Sequence, residues 1–375
     1  MTILQLTSHL GVGGITRYVL TLSEQLAARG HRVIVASDHG AQERHLLARG
    51  LPYWCVPLHT SAEFSLPVWR SYGLLLARLQ QEPVDLIHAH TRVAQVVADR
   101  LSQHLRIPYV TTWHGIFKRR LGRRVWPCTG LVTVAISEPV RHHLIKDFGV
   151  PEARVRCIPN GIDPLYYSAA PSPDAVAAFR RQAGLPAGCP VIGGLGRLAA
   201  GRVKGFDLLL IAAQLLQQSF PALHTLVVGD GPRRPFLEDI AERLGIRSRV
   251  HFVGTAEDVR VPLAAMDVFV FPSRWPEGFG LTLIEAMAAG KAVIGTRMGA
   301  VGDIIRHEVD GLLVPPEHPV ALAEAIARLL GQRDVAQRLG QSAQTRVREQ
   351  FSLERMTRQV ETVYEEVLGR TAARP

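Results

Sequence analysis

Short apolar runs alternate with longer amphipathic stretches from the first residues of the chain onward. The chain opens with ILQLTS, turns at Gly11 to Gly14, and continues with a helical pattern over about Ile15 to Arg29. The apolar run HRVIVASD follows at once, and further runs lie near 84–88, 109–112 and 132–135. Strands separated by helices are typical of a parallel sheet covered on both faces. The first half is therefore predicted to form one doubly wound α/β domain.

The same alternation restarts after a Pro- and Ala-rich segment that follows Asn160. Five strands are predicted at VIGGLGR, HTLVVGD, VHFVG, VFVFPS and AVIGT, with helices over about 206–218, 233–244 and 281–289. The expected architecture is two Rossmann-like α/β domains, at 1–165 and 166–352, facing a cleft. The last helix, over about 353–370, is expected to pack back on the first domain.

Composition agrees with a globular protein of two domains. The chain has 375 residues, of which 47% are hydrophobic and 20% charged, and this length exceeds one typical core. No apolar run approaches the roughly twenty residues that span a bilayer, so a cytoplasmic protein is expected. Four widely spaced cysteines indicate neither a zinc site nor a disulfide framework.

Positive charge is concentrated in the first half of the chain. Residues 1–165 carry 19 Lys and Arg against 11 Asp and Glu, whereas residues 166–375 carry 24 against 22. A basic cluster lies beside Trp113 and Trp126 and comprises Lys118, Arg119, Arg120, Arg123 and Arg124. It suits an anionic membrane or an anionic acceptor, although a solvated loop is an equal alternative. The segment Phe64 to Leu79 is either an amphipathic membrane contact or a core helix. No nucleic-acid-binding module accompanies the charge, so no nucleic acid is expected.

Two glutamates flank the predicted start of a helix in EGFGLTLIE. Glu277 precedes the helix and Glu285 lies on it. Amides near the helix start would favour a diphosphate, because the helix dipole is positive there; they belong to Gly278, Phe279, Gly280 and Leu281. Glu285 suits the adjacent hydroxyls of a ribose, and Glu277 suits hydroxyls of a sugar beyond the phosphates. Two solvated glutamates are the plain alternative.

Cations and glycines after other strands complete the candidate site. Arg197 and Lys204 lie on a turn before a helix and would neutralise a diphosphate, with Arg202 between them as a substitute. The turns at Gly229 and Val253 would offer backbone and apolar surface to a nucleobase. The glycine turn near Gly13 lacks the third glycine of a dinucleotide fingerprint, since position 16 is Thr16. NAD binding, with Asp38 as ribose ligand, is therefore disfavoured.

The order of these motifs resembles the retaining glycosyltransferases of family four, which have the GT-B fold. The resemblance covers nearly the whole chain and is carried by GGITRYV, WHG, IPNGID, GRL…KGFD, VVGDGP, FVG and EGFGLTLIE. It implies that Gly13, Gly14, Arg197 and Lys204 meet the donor phosphates. It further implies that Glu277 contacts the donor sugar, that Glu285 binds the ribose, and that His114 is the active-site histidine. Six residues separate Arg197 from Lys204, about one or two more than this family would have, and Arg17 has no assigned role.

The resemblance implies a hexosyl transfer from a UDP- or GDP-sugar to a lipid-linked or glycan acceptor in cell-envelope assembly. No Asp-x-Asp pair occurs in the sequence, so metal-independent activity without a cofactor is expected, at the inner face of the membrane or free in the cytoplasm. Acceptor-side roles are expected for His9, His88 and His90. A sugar-nucleotide epimerase, a phosphorylase-like synthase of the same fold and a catalytically silent sugar-nucleotide-binding subunit remain the alternatives.

Overall fold

The computed structural model describes residues 1–11, 13–119, 121–201 and 204–372. The chain folds into two compact units. The first unit is Met1–Gly161 together with the C-terminal segment from Leu353, and the second is Ile162–Ser352. The division falls four residues before the boundary expected from the sequence, and the last helix is part of the first unit.

The described residues of the first unit form a seven-stranded parallel sheet in the order β3-β2-β1-β4-β5-β6-β7. Its strands are β1 (Thr2–His9), β2 (Arg32–Asp38), β3 (Tyr53–Cys55), β4 (Leu86–Ala89), β5 (Tyr109–Trp113), β6 (Val132–Ala135) and β7 (Val155–Cys157). Its helices are α1 (Gly14–Ala28), α2 (Glu43–Ala48), α3 (Leu66–Gln81), α4 (Arg92–Leu105), α5 (Leu121–Val125) and α6 (Glu138–Phe148), joined by the C-terminal helix α16 (Leu353–Ala372). Two apolar clusters cover the sheet, one of which includes α1 and α16 and the other α3 and α4.

The described residues of the second unit form a six-stranded parallel sheet in the order β10-β9-β8-β11-β12-β13. Its strands are β8 (Val191–Leu195), β9 (His224–Val228), β10 (Val250–Phe252), β11 (Val268–Phe271), β12 (Ala292–Thr296) and β13 (Leu312–Val314). Its helices are α7 (Pro164–Ser168), α8 (Pro173–Gln182), α9 (Phe206–Leu215), α10 (Arg234–Arg243), α11 (Arg260–Ala265), α12 (Leu281–Ala288), α13 (Val301–Ile304), α14 (Pro319–Gly331) and α15 (Arg333–Gln350).

The predicted fold class of two doubly wound parallel-sheet domains is confirmed. In each sheet the strand order reverses direction once, between β1 and β4 in the first unit and between β8 and β11 in the second. Loops leaving two such neighbouring strands diverge to opposite faces, and the crevice between them is where open α/β sheets bind ligands. Functional side chains are therefore expected at the carboxyl ends of these four strands.

Candidate active site

An ion pair lies at the point where the second sheet reverses direction. Lys204, on the loop after β8, donates from Nζ to Oε2 of Glu277 over 2.7 Å. Glu277 comes from the loop after the neighbouring strand β11, and only 13% of its side chain is exposed. Its other oxygen, Oε1, lies 3.0 Å from the hydroxyl of Ser273. The structure thus brings together two predicted site residues that are 73 positions apart.

Two glycines hold the loops that carry this pair. Gly205, next to Lys204, has φ +62, and a Cβ there would lie 1.8 Å from the carbonyl oxygen of Pro272. Gly299 has φ +54, and a Cβ there would lie 2.7 Å from both backbone N and O of Glu277. Left-handed backbone and close approach both require glycine. The positions of Lys204 and Glu277 are therefore fixed by backbone packing as well as by their ion pair.

Further cations border the same site. A shallow pocket is lined by Arg197, Lys204 and Arg233, together with Asp207, which is bound by Arg274 at 3.0 Å. Arg197 is exposed, and Nη2 of Arg233 is buried with no hydrogen-bond partner among the described residues. Sequence reasoning missed Arg233, although its place directly after the Gly229-to-Pro232 turn that ends β9 was a usable signal. Arg202 lies outside the described residues.

Helix α12 begins beside Glu277 without a side-chain cap. Gly280 is its N-cap, and no acidic residue lies in its first turn. The first amides of a helix have no acceptor within it, so Leu281 starts a turn that can donate to an anion. Phe279 is 7% exposed and its ring packs against Phe351, so only its backbone is available. Gly278 lies in the turn between Glu277 and Phe279.

Glu285 lies inside the second unit. It is 1% exposed, and Oε1 accepts a 3.3 Å hydrogen bond from the hydroxyl of Tyr167 on α7. Sequence reasoning missed Tyr167, because an aromatic residue on a short helix after a linker is normally core. The ribose contact assigned to Glu285 stays a prediction, and the structure adds Tyr167 as the group that orients this carboxylate.

The two turns assigned to a nucleobase have their amides engaged. Gly229 donates to the carbonyl of Gly254 over 2.7 Å, and Val253 donates to the carbonyl of Val227 over 3.2 Å. These two turns therefore offer a base their carbonyl groups and the side chain of Val253, which is partly buried.

In the first unit, Gly13 and Gly14 begin α1. Gly13 is its N-cap, has no side-chain hydrogen bond and is exposed, as is Gly14. Asp38 at the end of β2 accepts from the backbone amides of His39 and His59, over 2.8 and 3.1 Å. The Asp38 carboxylate thus binds the backbone of its own loops, which agrees with the expectation that the chain does not bind NAD.

His114 directly follows β5 and is partly buried. Its Nε2 lies 3.4 Å from Nδ1 of His90, and its ring packs edge-on against Tyr18 with centroids 4.9 Å apart. Burial lowers the pKa of His114 to about 3, so the ring is neutral at ordinary pH. His88 and His90 are 0% and 2% exposed, which makes direct contact with an acceptor impossible for them without rearrangement. His9 lies at the end of β1 with its ring centroid 4.6 Å from that of His59.

The basic cluster is partly structural. Arg119 pairs with Asp147 at 3.4 Å, and the guanidinium of Arg123 lies 4.5 Å from the ring centroid of Phe117. Lys118 and Arg124 are exposed, and Arg120 lies outside the described residues. Large apolar side chains on the same unit are also exposed: Phe64 at 62%, Leu66 at 78%, Leu121 at 75% and Val125 at 76%.

The segment Phe64 to Leu79 proves to be mainly a core helix. Helix α3 buries Val68, Leu75 and Leu79, while Trp69 is 40% exposed. Phe64, just before it, stacks on Trp126 with centroids 6.2 Å apart. Among the described helices, none combines the length and the apolar character needed to cross a bilayer. Within the same described residues, no cluster of three His, Cys, Asp or Glu side chains is arranged to hold a metal ion.

Comparison with known proteins identifies the family of the chain. Residues 12–165 match the family model described as "Glycosyltransferase Family 4", and residues 189–332 match "Glycosyl transferases group 1". The chain belongs to the family-four glycosyltransferases. The predicted resemblance is thereby confirmed, and so is the prediction of an enzyme that transfers glycosyl groups.

Two similar proteins and one solved structure match this chain over nearly their whole length. An uncharacterized glycosyltransferase of Methanocaldococcus jannaschii is 27% identical, with 96% of each chain covered. The N-acetyl-alpha-D-glucosaminyl L-malate synthase of Bacillus anthracis is 27% identical, with 97% of this chain and 96% of the other covered. Among solved structures, Anabaena Alr3699/HepE in complex with UDP-glucose is 25% identical, with a TM-score of 0.85 over 98% of this chain and 100% of that one. The glycosyltransferase described here therefore has the GT-B fold.

Proposed function

We propose that this glycosyltransferase moves a hexosyl group from a UDP- or GDP-sugar to an anionic or lipid-linked glycan acceptor, with retention of anomeric configuration and without a metal. The observation that carries the proposal is the Lys204–Glu277 pair at the reversal point of the second sheet. It places a cation and a carboxylate beside the uncapped start of α12.

The pair fits a diphosphate sugar because each member can exchange its partner. A phosphate oxygen can replace the Glu277 carboxylate on the Lys204 ammonium, and Glu277 is then available to accept from sugar hydroxyls. Arg197 and Arg233 border the same pocket. Three cations and the positive end of a helix supply the charge that a metal would otherwise provide.

Retention is proposed to follow from a displacement on one face of the sugar. The bond from the anomeric carbon to the β-phosphate oxygen breaks, the bond to the acceptor oxygen forms on the same face, and the acceptor proton passes to the leaving phosphate. Lys204 and Arg197 stabilise the charge that develops on the diphosphate. His114 is neutral because its pKa is lowered to about 3 by burial, so it serves as a polar group near the sugar.

UDP is the preferred candidate for the donor nucleotide. Its support is the solved structure of Alr3699/HepE, which contains UDP-glucose and is 25% identical to this chain. GDP remains the alternative. The turns at Gly229 and Val253 offer mainly carbonyl groups and apolar surface, and such a surface does not distinguish uracil from guanine.

The acceptor is proposed to be anionic and presented at a membrane. Exposed Lys118 and Arg124 lie near in sequence to exposed Leu121 and Val125, and basic and apolar groups together favour an anionic lipid surface. The name of the Bacillus anthracis relative contains L-malate, which makes a small anionic acceptor the second candidate.

Turnover measurements test the proposal. The wild-type protein, incubated with UDP-glucose, UDP-N-acetylglucosamine or GDP-mannose and with L-malate or anionic lipid extract, is expected to release nucleoside diphosphate equally well with and without EDTA. The anomeric coupling of the product, measured by NMR, should match that of the donor. Glu277→Gln should lower turnover about a hundredfold, as for loss of a transition-state contact.

The matched control is Glu308→Gln. Glu308 is a partly exposed carboxylate paired with Arg328 of α14 in the same unit, and neither residue lines the pocket at Lys204, so its loss should leave turnover unchanged. An altered sugar formed from donor alone would indicate an epimerase instead, and complete loss of turnover in EDTA would refute the metal-free mechanism.

A further inference from the structure

Cys55 is exposed to solvent and lies beside a histidine. It is the last residue of β3, the edge strand of the first sheet, whereas Cys128 and Cys189 are buried. In the parallel pairing of β2 with β3, Cys55 lies opposite Ser37, two residues before His39. Because paired parallel strands run in the same direction, the thiol meets the loop that leaves β2.

Three side chains form a line at this edge of the sheet. Sγ of Cys55 lies 3.2 Å from Nε2 of His39, and Nδ1 of His39 lies 2.8 Å from Oε2 of Glu43 on α2. The side chain of His39 is 71% exposed, and that of Glu43 is 26% exposed. In this order the imidazole can act as the base that activates a sulfur nucleophile, and the carboxylate orients the base.

The proton positions in this line follow from the carboxylate. An ionised carboxylate only accepts hydrogen bonds, so Nδ1 of His39 must carry a proton and donate to Glu43. A half-turn of the ring would place carbon atoms against both partners, and neither contact would then be a hydrogen bond. Nε2 of His39 therefore shares a proton with Sγ of Cys55, as acceptor from the thiol or as donor to the thiolate.

The charges around His39 favour its taking that proton. The hydrogen bond to Glu43 raises the pKa of His39, and the charges of Glu43 and Asp38 add to this effect. The hydroxyl of Tyr53 also lies near Cys55, but it donates to a backbone carbonyl over 3.1 Å. His39 is thus the group placed to accept the thiol proton.

Small molecules from solvent can reach this line of side chains. An open groove adjoins it at Glu43 and is lined by Gly40, Ala41, Glu43, Arg44 and Leu47. Strand β3 ends the sheet, three strands from β4, which leads to His90. Neighbouring strands lie about 4.8 Å apart, so about 14 Å separates β3 from β4. Cys55 therefore lies apart from the His90 and His114 pair.

We propose that Cys55 is a site of oxidation by hydrogen peroxide, in which His39 takes the thiol proton and Glu43 holds the imidazole in place. The sulfur attacks one oxygen of the peroxide, so that an S–O bond forms and the O–O bond breaks. The proton taken by His39 passes to the departing hydroxide, which leaves as water. The sulfur is oxidised to sulfenic acid and the peroxide is reduced, so the step balances without a further reactant. The proposal is independent of the sugar transfer proposed above.

Trapping of sulfenic acid with dimedone during peroxide treatment, read by mass spectrometry of each cysteine peptide, tests the inference. At pH 7 the trapping rate at Cys55 should be about tenfold lower in His39→Asn than in the wild type, because a thiol without a base is only a few per cent ionised at that pH. Glu43→Gln removes the charge from the contact with His39 and should lower the rate by a smaller factor, about threefold.

His45→Asn is the matched control, because His45 lies on the same helix, α2, and pairs with Glu24 at 2.8 Å instead of with a thiol. This variant should be trapped at Cys55 as fast as the wild type. The partly exposed Cys157 is the internal reference in every sample. Trapping of Cys55 no faster in the wild type than in His39→Asn, or an equal loss in His45→Asn, would overturn the inference. Faster trapping at Cys157 than at Cys55 in the wild type would also overturn it.

Discussion

Burial changes the acid–base behaviour of two single residues of this enzyme, His88 and His90. Burial lowers the pKa of His88 to about 3 and lowers the pKa of His90 well below its ordinary value. Both ring nitrogens of each histidine also lie within 3.4 Å of a polar side-chain atom. In the unfolded chain both would titrate near pH 6.5. Protons therefore bind preferentially to the unfolded state below that pH.

The free energy of unfolding should consequently fall as the pH drops from about 6.5 toward 3. The unfolded state then binds more protons than the native state, so stability rises with pH in this window, by roughly 1.4 kcal/mol per pH unit for each such histidine. Urea unfolding at pH 7.5, 6.0 and 5.0 measures the slope. His88→Gln removes one titrating group, so the slope of the unfolding free energy against pH should decrease by the amount that corresponds to one proton. An equal slope in wild type and variant would contradict the lowered pKa of His88.

Individual site residues could be predicted from the sequence where a charged side chain lies within a recognisable local motif. Lys204 and Glu277 could be singled out because each lies on a glycine-containing turn after a predicted strand. Gln5 and Tyr364 could not, because both lie in apolar patterns typical of a strand and a helix core. The hydrogen bond between Gln5 and Tyr364 joins positions 359 apart, and no local pattern encodes such a contact.

At the scale of elements, the short helix α5 combines two kinds of exposed surface. Leu121 and Val125, at i and i+4, lie on one helix face and are 75% and 76% exposed. Arg124 is exposed beside them, and a Cβ on Gly122 would lie 3.8 Å from the ring of Phe64. Helix α5 thus adjoins the exposed apolar residues that precede α3.

Replacing Lys118, Arg119 and Arg124 with Ser should weaken binding to phosphatidylglycerol vesicles about a hundredfold, because each basic residue contributes about 1 kcal/mol at an anionic surface. Vesicle co-sedimentation measures the effect. A control that replaces Arg181, Arg243 and Arg333 of the second unit with Ser removes the same charge. Equal loss in both variants, or none in the first, would exclude α5 as the membrane contact.

Strand prediction succeeded for the long strands and for one of the four strands of three residues. The sequence indicated ten strands but not β3, β7 and β13, each of which has three residues and ends a sheet. Three residues give too little alternation to reveal a period; β10 is equally short but was indicated by the apolar run VHFVG. The helix bearing Glu285 was predicted over 281–289 and is observed at Leu281–Ala288, because its apolar run and the following Gly290 are strong local signals.

At the scale of the whole molecule, two parallel sheets each reverse strand order once, and the candidate site residues lie at or beside these reversals. In the second sheet the reversal brings together Lys204 and Glu277. In the first, β4 lies at the reversal and leads to His90, whereas His114, which lies 3.4 Å from His90, follows β5, one strand away from the reversal. The alternating pattern predicted both sheets, but the pairings at the reversals required the structure.

The central claim is that the Lys204–Glu277 pair forms a metal-free site for a donor diphosphate. Calorimetric titration with UDP in EDTA, with GDP in parallel, tests it most directly. The wild type should bind at least one of the two nucleotides, and Lys204→Met should weaken that binding about tenfold or more, as for loss of a charged hydrogen bond. Arg243→Met, which removes an exposed cation paired with Asp239, should bind as the wild type does. Equal affinity in Lys204→Met and wild type, or binding only when a divalent metal is restored, would contradict the claim.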